Sequence, residues 1–255
     1  MKIAIVTGAS SGMGREFVRQ LCKKERFDEI WAIARRKDRL EQLKAEVPCV
    51  RPIALDLTAE GSVGKISEML SAEKPTVSVL VNCSGFGKFG SYRDIPTSDA
   101  LGMIDLNCKA LVNMTYTVLP YMPDGARIAQ LDSLSSFQPV PYLTVYGATK
   151  AFVLSFSRAL NAELRSRNIT ITAVCPGWVA TEFFDRATQT NDKAVTYFNV
   201  VYKPEDVIRT AVRDMYRGKD VSIHGFRVKS QVLLVKLLPH KLVMSIWLRQ
   251  QKLKP

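Results

Sequence analysis

Short apolar runs alternate with longer amphipathic stretches along most of this chain. We expect strands in the apolar runs, at residues 3–7, 29–34, 50–55, 77–82, 127–131 and 170–174, with a weaker strand near Val221. The amphipathic stretches predict helices at residues 12–24, 37–46, 62–72, 98–121, 144–166 and 204–217. This alternation is typical of repeated β-α units on a parallel sheet.

Several predicted strands are continuous aliphatic runs, as expected for strands that helices cover on both faces. We therefore predict an α/β fold, with a doubly wound parallel sheet flanked by helices. The 255 residues show no internal repeat, no low-complexity linker and no break in composition, so residues 1–222 are predicted to form one domain. Residues 223–255 are a basic and apolar C-terminal extension, called the tail below.

A glycine-rich turn joins the first predicted strand to the first predicted helix. Residues 7–14 are Thr-Gly-Ala-Ser-Ser-Gly-Met-Gly. The glycines permit a tight turn and close approach of a pyrophosphate to the main chain, and the helix N-terminus offers free N–H groups. The pattern predicts a Rossmann-type dinucleotide site formed by Gly8, Ser10, Ser11, Gly12 and Met13.

The residues after the second predicted strand indicate which dinucleotide binds. Arg35 and Arg36 stand where an acidic residue would bind the ribose 2′-hydroxyl of NAD, whereas arginine suits the 2′-phosphate of NADP. The two arginines could instead begin a solvated helix. We predict NADP(H) as the preferred cofactor, with NAD(H) as the alternative.

A tyrosine and a lysine lie four residues apart near the start of the predicted helix at 144–166. On a helix, Tyr146 and Lys150 share one face, so the ammonium can sit beside the phenol and lower its pKa. Ser133 stands thirteen residues before Tyr146, with Ser135 and Ser136 as close competitors. A Tyr-x-x-x-Lys pair often occurs by chance. It indicates a catalytic pair here because of its position relative to the other motifs.

These motifs, in this order, resemble the short-chain dehydrogenase/reductase family. The similarity extends from residue 3 to about 221 and includes a Pro-Gly-x-x-x-Thr segment at 176–181. It implies an active oxidoreductase that moves a hydride between nicotinamide and a carbonyl or alcohol. The catalytic residues by this resemblance are Asn107, Ser133, Tyr146 and Lys150.

The resemblance also assigns roles. Tyr146 would exchange a proton with the substrate oxygen, and Ser133 would hydrogen-bond the same oxygen. Lys150 would bind the nicotinamide ribose and tune Tyr146. Asn107 would hold a water that links Lys150 to solvent, although it could instead be a structural residue.

Further cofactor contacts follow from the resemblance. Asp56 matches the family residue that recognises the adenine amino group, although aspartate is also a preferred helix cap. Residues 82–85 are Asn-Cys-Ser-Gly where the family usually has Asn-Asn-Ala-Gly, so the outer two match and the middle two depart. The additional predicted contacts are Asp56, Leu57, Asn82, Gly85, Tyr146, Lys150, Pro176, Val179 and Thr181.

The numbers and spacing of cysteine and histidine indicate the cellular compartment and whether a metal site is expected. Five cysteines without CxxC spacing and only two histidines argue against a structural zinc site and a disulfide framework. The strand-like start leaves no room for a signal peptide, and no 18-residue apolar run predicts a membrane span. We therefore predict no metal and a cytoplasmic location, at most peripheral to a membrane.

Positive charge is concentrated in the tail. The formal net charge is +12, and residues 221–255 contain seven Lys or Arg and no Asp or Glu. Two apolar pieces, 232–238 and 242–248, are too short to span a bilayer but suit a membrane interface. The alternative, which we favour, is that the tail covers the enzyme's own cleft or a partner in a homo-dimer or tetramer. The cations alternate with aliphatic residues, which disfavours nucleic-acid binding.

Apolar and aromatic residues are expected around the substrate cleft. They favour an apolar ketone or aldehyde, lipid-like or steroid-like, and are Phe86, Phe89, Phe137, Val140, Tyr142, Trp178, Phe183 and Phe184. Residues 183–203 lack strong periodicity and predict a mobile substrate lid. One alternative is an NAD-linked alcohol dehydrogenase. The other is a cofactor-sensing binding protein without turnover, and the complete Ser-Tyr-Lys set argues against this second alternative.

Overall fold

A seven-stranded parallel sheet forms the centre of the protein. The computed structural model describes residues 1–190 and 194–253. The strands are β1 Lys2–Thr7, β2 Glu29–Ala34, β3 Val50–Ala54, β4 Thr76–Asn82, β5 Arg127–Leu131, β6 Thr170–Val174, β7 Trp178–Val179, β8 Val201–Tyr202 and β9 Val221–Ser222. The main sheet has the order β3-β2-β1-β4-β5-β6-β9, while β7 and β8 form a separate parallel pair.

Helices cover both faces of this sheet. They are α1 Gly12–Lys24, α2 Lys37–Glu46, α3 Ser62–Glu73, α4 Thr97–Ile104, α5 Ala110–Val118, α6 Thr144–Glu163, α7 Phe183–Ala187, α8 Pro204–Tyr216, α9 Phe226–Leu237 and α10 His240–Gln250. The strand order reverses between β1 and β4, so the predicted Rossmann-type doubly wound fold is confirmed. In such sheets a crevice opens at the carboxyl ends of the strands beside this reversal.

Alternate residues of the strands pack into two separate hydrophobic cores, one on each face of the sheet. In β1, Ala4 and Val6 pack on the side of α1, α2 and α8, while Ile3 and Ile5 pack on the side of α3, α5 and α6. All four side chains are fully buried. Because successive strand residues point to opposite faces, a strand buried on both sides must be a continuous aliphatic run.

The predicted elements agree with the structure except in the two longest helices. The helix predicted at 144–166 ends at Glu163 and is followed by a 3₁₀ turn at Leu164–Arg167. Strand bounds agree within one residue, and the shorter predicted helices do as well. The predicted helix at 98–121 is instead α4, one turn of π-helix at Asp105–Lys109, α5 and a 3₁₀ turn at Leu119–Tyr121. Single π turns of this kind recur at functional sites, and this one contains Asn107.

The tail forms two helices that pack on the rest of the chain. Val228, Val232 and Val235 of α9 and Val243 and Trp247 of α10 are buried. The indole N–H of Trp247 donates to the Pro141 carbonyl across 2.9 Å. Among the described residues, no helix has both the length and the apolar character needed to cross a bilayer.

The segment predicted as a lid contains two short elements among its described residues. It begins with α7 and ends with β8, which pairs with β7. Residues 191–193, in the middle of that prediction, lie outside the described residues. Mobility of the segment stays a prediction.

Candidate active site

The glycine-rich turn brings the start of α1 against the end of β1. Gly8 and Gly12 have φ of +68° and +51°, a region that side chains rarely adopt. A Cβ on Gly14 would lie 2.2 Å from the Gly8 carbonyl oxygen, so the contact requires glycine. Ser11 precedes α1 with an extended backbone and no side-chain cap. The first N–H groups of α1 therefore face the cleft without a capping side chain, which suits an anion.

Two arginines line the cleft at the end of β2. Arg35 lies 3.7 Å from Asp56, which follows β3. Arg36 donates to Ser10 Oγ across 3.3 Å and to Glu182 Oε2 across 2.8 Å. The hydrogen bond from Arg36 lowers the pKa of Glu182. The arginines thus stand beside the glycine turn, where an anionic group of a bound dinucleotide could compete with the carboxylates.

A cleft of about 630 Å³ runs along the carboxyl ends of the first strands. It holds predicted cofactor contacts from every motif at this edge of the sheet. Those lining it are Gly8, Ser10, Ser11, Gly12, Met13, Arg35, Arg36, Asp56, Leu57, Gly85 and Thr181.

A narrower pocket of about 100 Å³ continues from this cleft. Ser133, Tyr146 and Lys150 line it together with Pro176 and Val179. Tyr146 and Lys150 are buried on the first turns of α6, while Ser133 is half-buried two residues after the end of β5. The structure therefore brings the predicted serine, tyrosine and lysine to one place.

Apolar and aromatic side chains form most of the wall of this inner pocket. Five of the expected residues line it, namely Phe89, Val140, Trp178, Phe183 and Phe184, and so do the unexpected Leu143, Tyr197 and Trp247. Of the other expected residues, Phe86 lines the outer cleft and Phe137 lies under the Lys236 ammonium. Tyr142 packs against the same aromatic cluster. Among the described lining residues, Lys150 is the one cation.

Comparison with known proteins places this architecture in a family. A family model described as short chain dehydrogenase matches residues 2–192. This chain belongs to the short-chain dehydrogenase family. It is therefore an oxidoreductase that acts on CH–OH or carbonyl groups with a nicotinamide cofactor.

Individual relatives in this family act on different substrates. The Very-long-chain 3-oxoacyl-CoA reductase of Bos taurus is 32% identical over 91% of this chain and 73% of its own length. The Sulfoacetaldehyde reductase 2 of Chromohalobacter salexigens is 35% identical over 71% of this chain and 74% of its own. A short-chain dehydrogenase from Sphingobium yanoikuyae, solved in complex with NADPH, is 25% identical and superposes with a TM-score of 0.79 over 95% of each chain.

The prediction that Lys150 lowers the pKa of Tyr146 is wrong for this structure. Burial raises the pKa of Tyr146, and its hydrogen bond with Ser133 opposes that rise only in part. The Lys150 ammonium lies 5.8 Å from the Tyr146 ring centroid and donates to the Leu131 carbonyl across 2.8 Å. In this short-chain dehydrogenase, the phenol therefore keeps its proton at neutral pH.

Asn107 is held by backbone and side-chain partners in the π turn. Its Nδ2 donates to the Phe86 carbonyl across 2.9 Å and to Thr149 Oγ1 across 3.0 Å, while its Oδ1 accepts from Phe86 N across 3.0 Å. A Cβ on Gly85 would lie 3.0 Å from Asn107 Oδ1 and 3.6 Å from Lys150 Nζ. Asn107 thus lies near Lys150 but is fully buried, which fits the structural alternative as well.

Asn82 is the predicted cofactor contact that the structure turns away from the cleft. Its Nδ2 donates to Thr115 Oγ1 across 3.0 Å, and Gln130 Nε2 donates to the same oxygen across 3.0 Å. The side chain is buried between β4 and α5, so direct cofactor binding does not fit its position. The next residues, Cys83 and Ser84, line the cleft instead, with both N–H groups donating to Thr7 Oγ1.

Asp132 is a site residue that the motifs did not reveal. Its carboxyl is buried beside Ser133, and burial raises its pKa to about 7 while the Lys150 charge opposes that rise. A charged residue directly after an aliphatic strand is the sequence signal that could have found it. Within the described ranges, no three metal-ligating side chains come together.

Proposed function

We propose that this short-chain dehydrogenase is an NADPH-dependent reductase of a ketone or aldehyde carried on an apolar, lipid-like molecule. The observation that carries this proposal is the inner pocket, where Ser133, Tyr146 and Lys150 meet walls that are mainly apolar and aromatic. A long-chain 3-oxoacyl thioester has this chemistry, and it is the substrate class named for the Bos taurus relative.

Proton donation in this pocket is assigned to Tyr146. When bound, the nicotinamide supplies the hydride to the carbonyl carbon. The Tyr146 phenol gives its proton to the carbonyl oxygen as the C–O π bond breaks, and Ser133 Oγ stabilises the charge that develops there. Burial raises the pKa of this phenol, so it holds the proton that the reductive direction uses.

Lys150 is assigned to cofactor orientation and to the return of a proton to Tyr146. Its ammonium is buried beside the phenol, and burial lowers its pKa while Asp132 opposes that change. A lysine with a lowered pKa releases a proton more readily. Asn107 is assigned to holding the backbone of residue 86 and the face of α6 next to this lysine.

NADP preference is assigned to the rim of the outer cleft. Arg35 and Arg36 offer guanidinium groups there, and no acidic residue occupies positions 34–36. Guanidinium donors in a fork fit a phosphate, whereas a ribose 2′-hydroxyl calls for a carboxylate. An NAD-linked alcohol dehydrogenase is therefore the less favoured alternative.

A small anionic substrate is also less favoured. Sulfoacetaldehyde, named for the Chromohalobacter salexigens relative, carries a sulfonate that needs a cation in the pocket. Lys150, the one cation among the described lining residues, is committed to the catalytic group. The aromatic walls fit an alkyl chain better than a sulfonate.

Self-association is part of the proposal. Helices α4–α6 expose apolar side chains, among them Leu101, Tyr116 and Phe152, with exposed fractions of 55%, 57% and 43%. Phe152 stacks on Phe156, whose ring lies 6.0 Å from Tyr116, so these three aromatic residues of α5 and α6 form one apolar face. A second copy covering this face would make a homo-dimer or tetramer. The cytoplasmic location stays a prediction.

The test is nicotinamide oxidation by the purified protein against a carbonyl panel. The panel contains long-chain and short-chain 3-oxoacyl thioesters, a ketosteroid and sulfoacetaldehyde, each with NADPH and with NADH. We expect the highest kcat/KM with NADPH and the long-chain thioester. Tyr146→Phe should lower kcat by about 10²–10⁴-fold, the usual range for a general acid, while Tyr116→Phe on the exposed face of α5 should not.

Two results would contradict the proposal. Preference for sulfoacetaldehyde would show that the apolar walls do not select the substrate. Tight NADPH binding without turnover of any carbonyl or of the matching alcohols would favour a cofactor-sensing binding protein.

A further inference from the structure

The two tail helices each bury one stripe of apolar side chains and expose further apolar side chains outside that stripe. In α9, the buried valines leave Leu233, Leu234 and Leu237 outward, with exposed fractions of 61%, 57% and 74%. In α10, Leu242 and Ile246 are outward at 47% and 40%. A helix that is apolar on all sides normally has a partner on each side. We call these exposed residues, with Phe226, the outer surface of the tail.

Cations frame this outer surface. Six exposed Lys or Arg accompany it: Arg227, Lys229, Lys236, Lys241, Arg249 and Lys252. Residues 221–255 contain no acidic residue, and among the described residues none of these six forms a salt bridge to a carboxylate elsewhere. The outer surface is therefore both apolar and uniformly positive.

We propose that the outer surface of the tail docks on an anionic lipid bilayer. Leucines and Phe226 would enter the boundary between headgroups and acyl chains, and the surrounding cations would meet the anionic headgroups. This pairing of exposed apolar residues with Lys and Arg is the composition of helices that lie in a membrane interface. Attraction to anionic lipid adds to the burial of apolar area.

A second copy of the chain fits this surface less well than a bilayer. A symmetric contact places the same patch of both copies together, so it would bring two sets of cations into one interface. Like charges brought together are repelled, and no tail carboxylate offsets them. The apolar face of α4–α6 carries no such excess of cations among its exposed residues and is available for self-association.

The inner side of the same helices lines the substrate pocket. Gln231 of α9 and Trp247 and Gln250 of α10 belong to its walls. Docking would therefore place the pocket wall formed by α9 and α10 next to the lipid in which an apolar carbonyl compound dissolves. This consequence rests on the proposed function, but the docking itself does not.

Vesicle co-sedimentation of the full chain tests the apolar part of the surface. We expect wild-type protein to pellet with phosphatidylglycerol vesicles, and much less with phosphatidylcholine vesicles. Burial of a leucine side chain contributes enough to change partitioning by about tenfold or more. L233S/L237S should therefore lower partitioning roughly a hundredfold. The control Y92S removes an exposed aromatic side chain that lies outside both the tail and the apolar face of α4–α6, and it should leave vesicle binding unchanged.

Charge variants test the electrostatic part. Each cation near an anionic surface changes binding by about fivefold. R227Q/K229Q/K241Q should then weaken binding to phosphatidylglycerol about a hundredfold, while the exposed control K23Q/K44Q/K65Q keeps it. Added salt should reduce wild-type binding because it screens these charges. Reduction of a water-soluble carbonyl without vesicles checks that every variant is folded.

Three outcomes would overturn the proposal. Wild-type protein could stay in solution with phosphatidylglycerol vesicles, or it could bind both lipids equally. L233S/L237S could also leave vesicle binding unchanged while light scattering shows a loss of oligomer mass. That last result would assign the outer surface to a second copy of the chain.

Discussion

The thiol of Cys175 donates a hydrogen bond to the buried carboxyl of Asp132, with 3.4 Å between Sγ and Oδ2. The other carboxyl oxygen, Oδ1, has no hydrogen-bond partner among the described residues. Lys150 opposes the rise in the pKa of Asp132, and so does the hydrogen bond from Cys175, but burial dominates and sets it to about 7. The same carboxylate raises the pKa of Tyr146. Asp132 therefore couples the charge of the active site to pH near neutrality.

This coupling predicts how stability depends on pH. The folded-state pKa of about 7 is above the ordinary 3.8, so the folded protein holds an extra proton between these values. The contribution of Asp132 to the free energy of unfolding is therefore greatest below pH 3.8, falls as pH rises through this window, and is smallest above pH 7. The full difference is at most about 4 kcal/mol.

Asp132→Asn should remove that slope. Urea unfolding at about pH 5 and about pH 8 should show a smaller difference for the variant than for wild type. Glu68→Gln, at an exposed carboxylate of α3, serves as the control and should keep the wild-type difference. An unchanged slope in Asp132→Asn would mean that the carboxyl is not protonated in the folded protein at neutral pH.

The rim of the cofactor cleft predicts a change of cofactor preference. Arg36→Gln removes a guanidinium that lies between Ser10 and Glu182. A hydrogen bond to a charged group contributes about 1.5–3 kcal/mol, so kcat/KM with NADPH should fall by about 10–100-fold. The value with NADH should stay the same. Steady-state kinetics with both cofactors measure this difference.

Arg39→Gln is the matched control for the arginine at the rim. Arg39 also lies near Glu182, at 4.0 Å, but does not line the cleft. Its substitution should leave the ratio of NADPH to NADH activity unchanged. Equal losses in the two variants would show that the contact with Glu182, rather than the cofactor, needs the positive charge.

Substitution of glycine by alanine should have opposite effects on the unfolding temperature at two positions, Gly14 and Gly64. Gly14→Ala would place a Cβ 2.2 Å from the Gly8 carbonyl oxygen, so it should lower the unfolding temperature and abolish NADPH binding. A Cβ on Gly64 meets nothing within 4 Å, and alanine is favoured over glycine inside a helix such as α3 by about 0.5–1 kcal/mol. Gly64→Ala should therefore raise the unfolding temperature slightly. Thermal unfolding and quenching of protein fluorescence by NADPH measure both effects.

The parts of the fold that follow from local pattern were predictable. Strands such as β1 and β4 are buried on both faces, so their aliphatic runs identify them without knowledge of their neighbours. The break of the predicted helix at 98–121 was not apparent from the local pattern, and Asn107 within it bonds to Phe86 and Thr149, which lie far away in sequence. The glycine turn was predictable because its spacing reflects local backbone geometry.

The direction in which site side chains point could not be predicted from their positions in the sequence. Asn82 matches a family motif by position, yet Thr115 of α5 holds its side chain away from the cleft. In the tail, apolar residues occur on two opposite sides of α9, so periodicity did not indicate which side packs inward. The contact between Trp247 and Pro141 joins residues 106 positions apart, and no local pattern specifies it.

That contact predicts a role for Trp247 in substrate size. Its ring lies 6.4 Å from Trp178 in a stacked arrangement and closes one side of the inner pocket. Trp247→Ala should enlarge the pocket, so kcat/KM should rise for bulky ketones relative to small ones. Loss of a buried tryptophan also destabilises a protein by about 3–5 kcal/mol. The unfolding temperature should therefore fall as well.

Two companion variants separate size selection from simple loss of stability. Trp247→Phe keeps an aromatic ring but loses the hydrogen bond to Pro141, so it should lower stability with little change in the preferred substrate size. Ile246→Ala alters the neighbouring outward residue and should change neither. A ketone series of increasing bulk gives the comparison. If Trp247→Ala lost stability but kept the wild-type order of substrates, the tail would only buttress the pocket, and its wall would be set by residues of the main domain.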